Sequence, residues 1–224
     1  MSKQLSFDLP GRTALGRDDF FVSPANAAAV SMIEGWQSWP GRKMMLVGPP
    51  GSGKTHLVHV WANLSDAKII AADKLEHADI PELACHCVAI EDCHKIAGDP
   101  AGENALFHLH NLALAEGQAL LFTAVCAPLE WGLKLPDLAS RMQGTPSIHI
   151  AEPDDALLGA ILMKLFADRQ LAPTPATLPY LVNRMDRSFE AAADIVNALD
   201  SASMDARRPI TPRLAAEVLD KAGS

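Results

Sequence analysis

Cysteine occurs four times in 224 residues and tyrosine once, and aromatic residues together make up 5% of the chain. So few cysteines in a chain of this length do not make a disulfide framework. No run of about 18 apolar residues occurs, which excludes a transmembrane helix. The opening MSKQLSFDLP lacks the apolar stretch of a secretory signal, so a cytoplasmic location is expected. Basic residues are not in excess: 19 Lys and Arg stand against 27 Asp and Glu, a formal net charge of −8. Proteins that grip nucleic acid by neutralising phosphates carry a basic face, so direct sequence-specific DNA binding is not expected. Internal repeats and low-complexity tracts are missing as well.

What is present is ordinary globular material. Apolar residues are 49% of the chain and charged residues 21%, enough to bury a sizeable core and incompatible with disorder of the whole. Residues 1–19 read as polar and extended. An alanine-rich helix is expected over Ala25–Trp36, after Pro24 and before Gly41. Short apolar runs at Met44–Val47, Lys68–Ala72, Cys87–Ile90, Ala119–Ala124 and Ser147–Ile150 predict five strands. Helical stretches lie between them at His56–Leu64 and Asn104–Glu116. Strands alternating with helices predict an α/β fold with a parallel sheet covered on both faces. After Pro153 the pattern becomes entirely helical, over 154–169, 177–184, 188–201 and 212–222. The expected organisation is an N-terminal arm (1–17), a nucleotide-binding core (18–151) and a small all-helical lid (152–224).

The core carries one contiguous motif. Gly48-Pro49-Pro50-Gly51-Ser52-Gly53-Lys54-Thr55 satisfies G-x-x-x-x-G-K-[ST], with a strand before it and a helix after it. The glycines let backbone N–H groups converge on phosphates, and the following helix aims its positive end at them. Lys54 is the expected contact to the β- and γ-phosphates and Thr55 a ligand of Mg²⁺. Partner residues belong at the C-terminal ends of neighbouring strands. Glu91 and Asp92 close one strand: the first acid is expected to hold Mg²⁺ through water, the second to polarise an attacking water. Thr123, near the end of the next, is a candidate hydrogen-bond donor to the γ-phosphate or that water.

These residues resemble a known family. Gly53-Lys54-Thr55-His56-Leu57-Val58-His59 is similar to the G-K-T-H-L-x-H of DnaA-type AAA+ ATPases. Phe20-Phe21-Val22-Ser23-Pro24-Ala25-Asn26 resembles their entry segment, which wraps adenine, so Phe21, Val22 and His56 join the expected nucleotide contacts. Phe107-His108-x-x-Asn111 resembles another internal block, and Ser140-Arg141-Met142 the S-R-F block before the lid. The resemblance implies a P-loop AAA+ three-layer core with a five-stranded parallel sheet, binding ADP or ATP with Mg²⁺. It also implies that Arg141 is an arginine finger reaching a nucleotide on a neighbouring subunit.

Departures from the family pattern sharpen the expectation. Glu91-Asp92 replaces the usual leading Asp, and Thr123-Ala124-Val125 lacks the acid of the T-S-D block, so weak hydrolysis in this chain's own site is expected. Glu190 stands where the family places a lid arginine. Either Arg187, at i−3, substitutes for it or the contact is lost. The match ends before the initiator's helix-turn-helix domain and is preceded here only by a short arm. That pattern resembles the family's regulatory branch, which stimulates hydrolysis of initiator-bound ATP. In the arm, Leu5, Phe7 and Leu9 alternate so that all three can enter one groove, with Gln4 as polar anchor. The segment resembles peptides that dock on the DNA polymerase III β sliding clamp. The resemblance implies the DnaA initiator and the clamp as partners and allows a second copy of this chain, with nucleoid association through the clamp and no membrane contact. A DnaA-paralogous helicase loader or DNA-binding initiation factor is the alternative, and a P-loop small-molecule kinase is disfavoured by the helical lid.

Overall fold

A computed structural model describes residues 22, 24, 26–206 and 208–222. The clamp-docking residues Gln4, Leu5, Phe7 and Leu9, and the adenine-site residue Phe21, lie outside the described residues. Strands β1 (Lys43–Val47), β2 (Lys68–Ala71), β3 (Val88–Glu91), β4 (Leu120–Ala124) and β5 (Ser147–His149) form one sheet in the order β2-β3-β4-β1-β5. Every pairing is parallel, as the alternating pattern predicts. Parallel neighbours need crossovers, supplied by helices α2 (Lys54–Ser65), α3 (Ile80–Ala84), α4 (Pro100–Ala115) and α5 (Pro136–Gln143), while α1 (Ala27–Glu34) precedes β1.

Side-chain alternation along β1 shows why the sheet is covered twice. Met45 and Val47 join Ile90, Leu120 and Phe122 in a core shared with α4 and α5, through Leu106, Leu109, Leu138 and Met142. Met44 and Leu46 point the other way, into a second core with Ile33 of α1 and Leu57, Val58 and Trp61 of α2. Two opposite faces, both apolar, require two helical layers. Trp39 stacks on Trp61 at 5.3 Å and Trp36 meets it edge-on at 6.2 Å, so these indoles pack the second core.

A third core belongs to the helical segment. Helices α6 (Asp155–Asp168), α7 (Thr177–Val182), α8 (Phe189–Ala206) and α9 (Pro212–Ala222) pack around Leu158, Leu162, Leu181, Val196, Leu199 and Ala215. Among the described residues no helix is long and apolar enough to cross a membrane.

The structure corrects several element boundaries. α1 occupies only Ala27–Glu34, and two 3-10 turns follow it. α4 starts a turn earlier than expected, because Asp99 caps it by accepting from the N–H groups of Ala101 and Gly102, with Pro100 at the first position. Cys87, expected inside a strand, precedes β3 and is half-buried. α8 runs to Ala206, five residues past its expected end.

Candidate nucleotide and arginine-finger sites

The phosphate loop leaves the end of β1 and enters α2. Gly51 (φ +69) and Gly53 (φ +93) both take left-handed backbone, which is cheap only for glycine. A Cβ on Gly48 would lie 2.6 Å from the carbonyl oxygen of Ile150, so that position tolerates no side chain without displacement. Ser52 Oγ is buried inside this turn and takes no hydrogen bond among the described residues. An orphaned buried hydroxyl in a glycine-rich turn before a helix suits a ligand rich in acceptor oxygens. Lys54 is buried and folds back to donate to the carbonyls of Gly48 and Pro49, both at 2.7 Å. Burial lowers its pKa, and the opposing pull of Asp92 and Glu91 only partly restores it. A buried ammonium that donates, among the described residues, only to carbonyl oxygens suits an anionic partner.

The acids lie beside this loop. Thr55 Oγ1 donates to Glu91 Oε1 at 2.7 Å, which unites the hydroxyl and carboxylate expected at Mg²⁺. Hard oxygen donors of this kind suit Mg²⁺, so the residues present fit the ion. Asp92 is left-handed (φ +57), which turns its N–H toward Thr123 Oγ1 at 3.0 Å. Its carboxylate accepts from Lys95 at 2.7 Å. Glu91, Asp92, Thr123, Lys54 and Thr55 therefore form one constellation. Pro50 and Val22 are exposed, and His56 is half-buried one residue into α2 beyond Thr55.

The lid meets the loop directly. Phe189 N–H donates to Gly51 O at 2.9 Å, and a Cβ on Gly51 would collide with Ser188. Ser188 in turn caps α8 by accepting from Ala191 N–H. Arg187 is one residue away, but its guanidinium is held by Asp155 and by the carbonyl of Pro153. Glu190 is exposed in the first turn of α8.

Arg141 lies elsewhere. It sits in the last turn of α5, near the start of β1, whereas the phosphate loop follows the end of that strand. Its Nε donates to Asn111 Oδ1 at 2.8 Å, and its guanidinium lies over the Phe107 ring at 4.8 Å. Among the described residues its two terminal nitrogens take no hydrogen bond. Phe107 and Asn111 thus serve Arg141, one turn apart on α4. Lys43 and His110, which complete this neighbourhood, were not singled out from the sequence, because nothing local marks them.

This arrangement is an AAA+ fold. The structure is similar to domain III of the replication initiation protein DnaA from Thermotoga maritima, with a TM-score of 0.78, 18% identity, and coverage of 92% of this chain and 96% of that one. It is also similar to AMPPCP-bound DnaA from Aquifex aeolicus, with a TM-score of 0.71 and 16% identity over 84% of this chain and 65% of that one. A RuvB variant from Thermotoga maritima gives a TM-score of 0.70 and 17% identity, covering 89% and 70%. By sequence, an uncharacterized protein of Haemophilus influenzae is 27% identical over 187 residues, 77% of this chain and 79% of that protein. No family model matches the sequence.

Proposed function

We propose that the chain is an Hda-like AAA+ regulator of chromosomal replication initiation. It binds ADP or ATP through Gly48–Thr55, docks on the sliding clamp through its arm, and stimulates hydrolysis of ATP held by DnaA. The observation that carries the trans-acting part is the placement of Arg141: by the start of β1, away from this chain's own loop, with its terminal nitrogens without hydrogen bonds among the described residues.

In this reading Lys54 exchanges its two carbonyl bonds for phosphate oxygens, and Ser52 Oγ gains an acceptor. Thr55 and Glu91 would hold Mg²⁺, which supplies charge neutralisation of the phosphates when bound. Asp92 is tied to Lys95, and its N–H to Thr123, which supports weak turnover in this site. In the partner's site, water attacks the γ-phosphorus as the bond to the β–γ bridging oxygen breaks, yielding ADP and inorganic phosphate. Arg141 offsets the charge developing on the γ-phosphoryl oxygens, a contribution worth about 10³–10⁵ in rate.

The test is turnover of DnaA-bound ATP in the presence of DNA-loaded clamp. Arg141→Ala should remove stimulation while ADP binding and the melting curve stay at parental values. Deleting residues 1–10 should remove stimulation and retention on a clamp column together. Arg141→Ala stimulating like the parent would refute the reading.

A further inference from the structure

Four residues near the start of β1 close a hydrogen-bonded ring that runs through the backbone carbonyl of Arg141. Lys43 Nζ lies 3.2 Å from His110 Nε2 and 3.2 Å from the carbonyl oxygen of Arg141. His110 Nδ1 lies 3.4 Å from Asn111 Oδ1, which accepts from Arg141 Nε at 2.8 Å. The protons follow from chemistry. An ammonium only donates, so His110 Nε2 must accept and Nδ1 must carry the hydrogen that points at Asn111. His110 is therefore neutral, 5% exposed, and stacked on Phe122 of β4 at 6.4 Å. The imidazole is fixed by the sheet itself.

The ring grips Arg141 at two points. Its carbonyl belongs to the last turn of α5, where oxygens lack an intrahelical partner. Lys43 Nζ and Thr145 Oγ1 supply donors there, and a cation at a helix C-terminus is favourable. Its Nε is held by Asn111, which His110 orients in turn. Two cations, Lys43 and Arg141, share the ring with no carboxylate among its members. An ordinary structural network would neutralise them, yet among the described residues no carboxylate pairs with either cation and the guanidinium's outer edge is unengaged.

We propose that Lys43 and His110 are positioning residues for Arg141, setting the direction in which its guanidinium meets the phosphates of a neighbouring molecule's nucleotide. This inference rests on the trans-acting role of Arg141 and specifies how the chain prepares it. Misplacement by about 1 Å costs on the order of 100-fold when a group must meet developing charge.

The experiment measures stimulated hydrolysis of DnaA-bound ATP with loaded clamp as a function of this chain's concentration, for Lys43→Met, Lys43→Arg, His110→Gln and Arg141→Ala, each with a melting curve and an ADP titration. Lys43→Met and His110→Gln should lower the saturating rate by about tenfold or more, with half-saturating concentration, ADP affinity and melting midpoint near parental values. Lys43→Arg, which keeps a donor and the charge, should restore most of the rate. Saturating rates at the parental level in Lys43→Met and His110→Gln, with Arg141→Ala inactive, would overturn the positioning role and leave the proposed function standing. A loss of rate that follows the loss of folded protein, or a change confined to half-saturation, would also overturn it. Arg141→Ala active at the parental level would overturn both.

Discussion

His110 shows how much one buried side chain is told by its neighbours. Burial, then the charges of Lys43 and Arg141, outweigh its bond to Asn111 and push its pKa down to about 4, against an ordinary value of 6.5. The folded-state value is lowered, so above about pH 6.5 both states are neutral and no pH effect arises. Between about 6.5 and 4 the unfolded chain takes up a proton that the folded chain refuses, and stability falls as pH falls. The full loss is about 3 kcal/mol. Urea unfolding at pH 7 and pH 5 should therefore show a smaller drop for His110→Gln than for the parent, and equal drops would contradict it. Lys54 also has a lowered pKa, with burial as the first cause, but the acids beside it pull the other way. The same sign of shift marks a neutral ring member in one place and an ammonium folded onto two carbonyls in the other.

At the scale of elements, Glu103 ties two helices together outside the phosphate loop. It is 1% exposed, and its carboxylate accepts from the N–H groups of Gly98, Lys134 and Leu135 at 2.7–3.0 Å. Burial alone would raise its pKa; the three backbone donors outweigh that and hold it below the usual range. The stability it contributes is present above its unfolded pKa and is lost as pH falls below it, a window more acidic than that of His110. Its bonds join the start of α4 to the residues that open α5, so it ties the helix bearing Phe107 and Asn111 to the helix bearing Arg141. Glu103→Gln should cost about 2 kcal/mol, since an amide nitrogen then faces donors that want an acceptor. Denaturant unfolding at pH 7 measures it, and a change under about 0.5 kcal/mol would contradict this account. Which elements could be read from sequence follows from length and contiguity. The five strands sit on short contiguous stretches with apolar centres and were legible to within one residue at either end. α3 has five residues and α5 only two buried side chains, Leu138 and Met142, too little periodicity to stand out. The phosphate loop was legible because its parts are consecutive. The Lys43 ring was not: its contacts span 67 and 98 positions, and Lys or His alone carries no local signal.

On the scale of the whole molecule, two hydrophobic cores share the sheet and the third belongs to the helical segment. The helical segment reaches the phosphate loop through the Phe189–Gly51 bond and the contact of Ser188 with Gly51. A side chain at Gly51 would both strain a left-handed backbone, at about 1–2 kcal/mol, and push Ser188 away. Gly51→Ala should therefore speed amide exchange in the first turn of α8 while leaving β1 and β4 protected, as read by hydrogen–deuterium exchange. Unchanged protection of α8 would mean that the lid is held by other contacts. Nothing in the sequence marked Ser188 for this task, because its role depends on a glycine 137 positions earlier.

Arg141 near the start of β1 and the phosphate loop after its end give the molecule a front and a back. A contact that seats one protein's arginine on another's nucleotide is head-to-tail, and such heterologous contacts need not close upon themselves. A chain that has delivered its arginine still offers its own loop to a further neighbour. The stoichiometry of any assembly built this way is then open, growing with concentration unless some other surface ends it.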